Sequence, residues 1–189
     1  MDVEIDAQAK DKFLNRAVAL TVVVLSIFMG LGQVKDGNIV QAMAQAQANA
    51  VDRWGEYQAT KTKQHIDEAA LIQIRGLARL GGATPNAALS GAPQRLTTEI
   101  SKYEAEVPKL RAEAEGFQQT YDALNIHDDQ FDASDAAIGV AVAIAAVAAL
   151  SDSWPALIAS WLFGGFGVVM GLAGFLGWAL KSPLSSFLS

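Results

Sequence analysis

Cysteine is absent from the 189-residue chain, and histidine occurs only twice. Without cysteine the protein forms no disulfide bond, zinc ribbon or thiol nucleophile, although this absence leaves the redox compartment open. The two histidines lie in no Ser/His/Asp set, and neither a phosphate-binding glycine loop nor a pair of buried carboxylates can be assembled from the sequence. We therefore predict that the protein is not an enzyme and that it holds no cofactor.

Charge is missing from long stretches of the chain. Residues 17–34 contain no ionisable side chain, and between Ala136 and Leu180 the only one is Asp152. About 20 apolar residues in a helix cross the ~30 Å hydrocarbon core of a bilayer. The sequence therefore predicts an all-α membrane protein that contacts the lipid bilayer, with transmembrane helices at residues 17–34, 133–151 and 154–180 and terminal tails at 1–16 and 181–189.

Small residues recur at helical spacing in the last two predicted spans. Alanines every four residues include Ala137, Ala141 and Ala145, and the glycines that follow include Gly167 and Gly171. Such stripes let helix backbones approach closely in lipid, where van der Waals contact drives association. We expect one stripe to join the two spans and a second to contact a neighbouring subunit, so the protein is predicted to form a homo-oligomer.

An apolar stripe runs from Leu96 to Phe131 at alternating spacings of four and three residues, interrupted only by Asp128. This 3.5-residue repeat is typical of a left-handed coiled-coil seam, so the helix needs a partner along its length. We therefore predict an extramembrane, coiled-coil-like antiparallel helical hairpin over residues 35–132, with helices at about 38–80 and 94–131 and a Gly- and Pro-containing hinge at 81–93.

The side-chain register of this hairpin follows from the position of the hinge. A hinge centred on position 87 places Lys61 near Glu113, and Trp54 near Phe117 or Tyr121. The predicted seam of the first helix contains Met43, Gln47, Ala50, Trp54 and Tyr57. Trp54 and Tyr57, which Gln58 follows, are then a packing cluster; an exposed binding platform is the alternative.

Three sites are expected to interrupt the helices. Asp36-Gly37 separates the first span from the hairpin, and a residue among Asp132, Ser134 and Asp135 caps a new helix before the second span. Pro108 removes a backbone hydrogen bond, so we expect either a kink or two helices that meet at Val107.

Acidic residues gather before the second predicted span, at Asp122, Asp128, Asp129, Asp132 and Asp135. Such a group can bind a divalent cation, but the sequence lacks the spacing of a calcium loop, and acids also cap helices or lie in solvent. His65 and Glu68 reverse the order found in di-iron bundles. We predict no metal site.

The charge distribution bears on partners and topology. Ten acidic and four basic residues between Arg95 and Asp135 argue against nucleic-acid binding. Lys10, Lys12 and Arg16 precede the first span, which predicts a cytoplasmic N-terminus and a periplasmic hairpin. A cleaved signal peptide ending near Ala42-Met43-Ala44 is the alternative to a membrane anchor.

The segment Trp54-Gly55-Glu56-Tyr57-Gln58-Ala59, followed by Lys63-Gln64, resembles a motif of the domain of unknown function 4337 family, uncharacterised bacterial membrane proteins. The resemblance extends to a span near the N-terminus, a long helical middle and two closing spans preceded by Phe131-Asp132-Ala133. It departs at Thr60, where the family motif has lysine. The resemblance implies a multi-pass protein of the bacterial inner membrane with three spans, and it implies no activity.

These observations favour an integral membrane protein of structural or interaction type that self-associates. A subunit of an oligomeric channel or transport complex is the first alternative, and an unidentified membrane protein is a further potential partner. A membrane-anchored enzyme is the second alternative, which the absence of a recognisable site disfavours.

Overall fold

Three α-helices make up the computed structural model, which describes the backbone of residues 3–79 and 91–178 and the side chains from residue 12 onward in these ranges. Helix α1 is Val3–Arg79, α2 is Ala92–Leu150 and α3 is Trp154–Leu176. Each contains an apolar window long enough to cross a membrane. No strand occurs in the described ranges, and the predicted all-α fold with three candidate spans is confirmed.

The expected helix ends at Asp36-Gly37, at Val107 and at residues 132–135 are absent from this part of the chain, and a kink at Pro108 stays a prediction. Helix α1 continues through Asp36-Gly37, because one interior glycine costs a long helix only about 1 kcal/mol. Helix α2 continues through residues 132–135 and contains Pro108. No new helix begins at Val107 or beside the acidic residues. Most of the predicted hinge at 81–93 lies outside the described residues, and α2 begins at Ala92.

Residues 1–43 and 122–189 contribute to one compact unit. Its described part holds two apolar clusters. The first contains Leu14, Val18, Ala145, Ala148 and Leu157. The second contains Leu25, Ile138 and Ala141. Leu14 lies within the predicted N-terminal tail, yet it is buried because α1 begins at Val3 and carries this side chain into the core.

The turn between α2 and α3 contains only residues 151–153. Asp152 has a left-handed backbone with φ of 45°. Ser153 caps α3, and its hydroxyl accepts a hydrogen bond from the Ala156 backbone N–H at 3.4 Å. Pro155 follows at the start of the helix, where a missing N–H costs nothing.

Residues 44–121 form a second compact unit. On α2, every position of the predicted stripe in this unit is buried or partly buried, whereas the residues between them from 97 to 120 are exposed. On α1 the buried positions include Ala46, Ala50, Thr60 and Gln64. Gln47 is exposed, so its assignment to the seam is wrong; the smaller, apolar Ala46 takes the neighbouring inward position.

The predicted pairing of Lys61 with Glu113 is also wrong. The Arg53 guanidinium lies 3.1 Å from the Glu113 carboxylate, which shifts the contact by about two helical turns. The predicted register was inferred only from the centre of the hinge. The observed register depends on side-chain packing and on attraction between opposite charges.

Candidate functional site

The small-residue stripes pack inside the first unit. Ala141 and Ala145 are fully buried, and Ala137 is nearly so. A Cβ atom built on Gly167 would lie 2.9 Å from the Ser134 carbonyl oxygen, and one on Gly171 would lie 2.6 Å from the Phe28 ring. Only glycine allows these approaches. The five stripe residues Ala137, Ala141, Ala145, Gly167 and Gly171 therefore pack within the chain.

Hydrogen bonds join segments of this unit that are distant in the sequence. The Ser160 hydroxyl donates to the Ala141 carbonyl at 2.7 Å, and the Trp161 indole N–H donates to the Thr21 hydroxyl at 2.9 Å. The Gln130 amide donates to the Trp178 carbonyl at 2.6 Å. In a membrane such bonds satisfy polar groups that lipid cannot. Periodicity could not reveal them, since single polar residues give no repeat.

The structure brings together two carboxyl groups that the sequence did not pair. Asp36 follows the first predicted span on α1, and its side chain faces Asp128 of α2 within hydrogen-bonding range. Both residues are partly buried. The sequence alone did not reveal this partly buried pair, because the pairing depends on the register between two distant segments.

Burial and like charge act together on this pair. Burial, followed by the charge of Asp128, raises the pKa of Asp36 to about 6. Burial is also the main reason that the pKa values of Asp128 and Asp129 are raised. One Asp36 oxygen, Oδ1, is buried and accepts no hydrogen bond from the residues that the structure describes.

The aromatic motif forms a pair in the second unit. The rings of Trp54 and Tyr57 meet edge to face with centroids 5.4 Å apart, and both side chains are partly buried, as are Phe117 and Tyr121. Gln58 is exposed. Packing of Trp54 on Phe117 or Tyr121 stays a prediction.

A family model described as Domain of unknown function (DUF4337) matches residues 14–177. The chain belongs to this family. The match covers the three candidate spans and the Trp54-to-Ala59 motif, so the suspected resemblance is confirmed. Searches of curated proteins and of solved structures gave no significant match.

In this DUF4337 protein, the outward face of α1 in the second unit differs from that of α2. Over an arc of about 100° it carries no charged side chain, although its members are all exposed: Ala44, Ala48, Val51, Gly55, Gln58, Ala59, Thr62, Ile66, Ala69, Gln73, Gly76 and Leu77. We call this the α1 outer face. The exposed surface of α2 in this unit instead carries charges, among them Glu99, Lys102, Glu104, Glu106 and Lys109.

The α1 outer face has features that an isolated, solvated helix does not need. Val51 is 60% exposed and Ile66 61%. Gly55 and Gly76 lie within the helix with open space beside them, and each costs helix stability of about 1 kcal/mol relative to alanine. No contact among the described residues accounts for these glycines.

The described side chains contain no group of three or more His, Asp or Glu residues placed to hold a metal ion. His65 contacts Glu68 at 3.2 Å on the exposed surface. The hydrogen bond from His65, followed by one from Gln64, lowers the pKa of Glu68.

Proposed function

We propose that this DUF4337 protein is a non-catalytic interaction module of the bacterial inner membrane. Three spans anchor it, and the parts of α1 and α2 that lie beyond the bilayer form an antiparallel, coiled-coil-like hairpin. The hairpin associates with a second copy of the chain through the α1 outer face.

Contacts in the second unit support the antiparallel arrangement. Arg53 contacts Glu113. Tyr57, farther along α1, lies close enough to Arg111 to contribute to the raised pKa of that guanidinium. The residue number thus rises along α1 while it falls along α2. The 3.5-residue spacing of the buried α2 positions supports a coiled-coil-like seam.

Self-association is supported mainly by the absence of charged side chains from the α1 outer face. Two copies anchored in one membrane with the same topology present their α1 helices in parallel. A two-fold axis between them then sets each residue opposite its own counterpart. A charged residue on such a face would meet its like charge, whereas an apolar face with glycines allows close contact.

Cysteine cross-linking tests this proposal, because the native chain contains no cysteine. Val51→Cys and Ile66→Cys should each give a disulfide-linked dimer in native membranes under mild oxidation. Glu104→Cys, on the exposed surface of α2, is the matched control and should give little dimer. Equal cross-linking at all three positions, or none at any, would contradict a specific α1 contact.

A charge substitution supplies a second readout. Ile66→Lys places two like charges opposite each other in the dimer, so the detergent-solubilised protein should shift from dimer to monomer in sedimentation. Thr98→Lys adds the same charge to the exposed surface of α2 and should leave the dimer intact.

A further inference from the structure

Two carboxyl groups from different helices meet at the edge of the first predicted span. Asp36 lies two positions beyond residue 34, and Asp128 interrupts the apolar stripe of α2 at a position where leucine or phenylalanine would otherwise pack. The two side chains are within hydrogen-bonding range of each other. Both belong to the first unit.

The buried oxygen of Asp36 points to a proton at this site. Oδ1 is inaccessible to solvent and receives no hydrogen bond from any described part of the chain. Two ionised carboxylates can only accept hydrogen bonds, so neither can satisfy the other, and a buried acceptor without a donor costs stability. A single proton on the pair creates the missing donor and also removes one of the two like charges.

The groups around the pair supply little positive charge that could stabilise two ionised carboxylates without this proton. From α2, Asp132 and Asp135 add negative charge at Asp36, and Asp129 is next to Asp128. His127 contacts the Gln130 amide oxygen at 3.1 Å instead. On α1, Lys35 is exposed and forms no ion pair within the described ranges, and the described residues of α3 carry no charge.

We propose that Asp36 and Asp128 share one proton, and that this proton is a pH-sensitive latch between α1 and α2. With the proton present, a hydrogen bond holds the two helices together at the edge of the span. When the proton leaves, two carboxylates face each other and weaken the contact. The shared proton lies within one copy of the chain, so its effect does not depend on self-association.

The direction of the pH dependence follows from the folded state. The pKa of Asp36 is raised from 3.8 to about 6, so the folded chain holds a proton that the unfolded chain has released. Stability at this site is therefore highest below about pH 4, is lost as pH rises to about 6 and stays low above that.

Carboxyl titration by ¹³C NMR in detergent tests the shared proton. The wild-type protein labelled at aspartate should show a titration with a midpoint near pH 6, which is absent in Asp36→Asn. Asp52→Asn, an exposed residue of the same helix, should retain it. The shared proton is refuted if no wild-type aspartate titrates above about pH 5, or if the titration survives in Asp36→Asn.

The latch itself is tested by distance measurements between spin labels at Asn38→Cys and Ala123→Cys, which are exposed positions of the first unit. Between pH 5 and pH 8 the distance distribution of the wild type should broaden or lengthen. Asp36→Asn should keep the narrow distribution at both pH values, because its amide donates to Asp128 without a titratable proton. An unchanged wild-type distribution would overturn the latch even if the proton is present.

Discussion

At the scale of single residues, the glycines of α3 are distinguished by what lies next to them. Gly171 and Gly174 face the rings of Phe28 and Phe131, and a methyl group on either would overlap the ring. Gly165 faces open space on the same helix. The sequence shows five similar glycines along α3, and only the packing separates those that need to be glycine from those that do not.

Gly171→Ala should therefore destabilise the protein by about 1–3 kcal/mol through overpacking. Gly165→Ala is the matched control and should be neutral or slightly stabilising, since alanine favours the helix. Thermal unfolding in detergent compares the two variants. Equal melting temperatures for both would show that the contact between Gly171 and Phe28 carries no stability.

Trp54→Ala should lower the stability of the hairpin by about 2 kcal/mol. Fully buried tryptophans lose more on truncation, but this side chain is only partly buried. Gln58→Ala, one turn along and exposed, should have an effect below about 0.5 kcal/mol. If Trp54→Ala unfolds at the wild-type temperature and instead abolishes binding to another membrane protein, the aromatic pair is a recognition surface.

At the scale of helices, the spacing of apolar residues predicted the buried face better than Gly and Pro predicted where helices end. The stripe from Leu96 to Tyr121 identified the inward face of α2 position by position, because burial in paired helices repeats every 3.5 residues. Asp36-Gly37 and Pro108 did not end helices, since local breaking signals are weak against long packed segments. The carboxyl pair was missed because it depends on register, which no local pattern encodes.

A disulfide test distinguishes the two registers of the hairpin. Arg53→Cys combined with Glu113→Cys should cross-link rapidly within one chain, because the native side chains are in contact. Lys61→Cys with Glu113→Cys should cross-link slowly, being about two turns out of register. Mass spectrometry of the digested protein measures both, and preferential formation of the Lys61 link would restore the register inferred from the hinge.

At the scale of the whole molecule, three helices are long and apolar enough to cross a membrane, and the flanking charges predict the direction of crossing. An N-terminus in the cytoplasm places residues 35–132 in the periplasm, and the basic residues Lys12 and Arg16 before the first span favour this orientation. A membrane-impermeant thiol reagent should therefore label Ala87→Cys but not Asp6→Cys in intact spheroplasts. The reverse pattern would invert the topology.

The short turn at Ser151–Ser153 has a consequence for biogenesis. The apolar part of α2 is rich in alanine, which hardly favours lipid over water, so this segment is a poor signal for the insertion machinery on its own. Ala137, Ala141, Ala145 and Ala148 are buried, and the Ser160 hydroxyl of α3 donates a hydrogen bond to the Ala141 carbonyl. Because so few residues separate the two helices, we expect them to enter the bilayer as one unit. A chain released by the ribosome before α3 is complete would leave α2 outside the membrane, exposed to proteolysis.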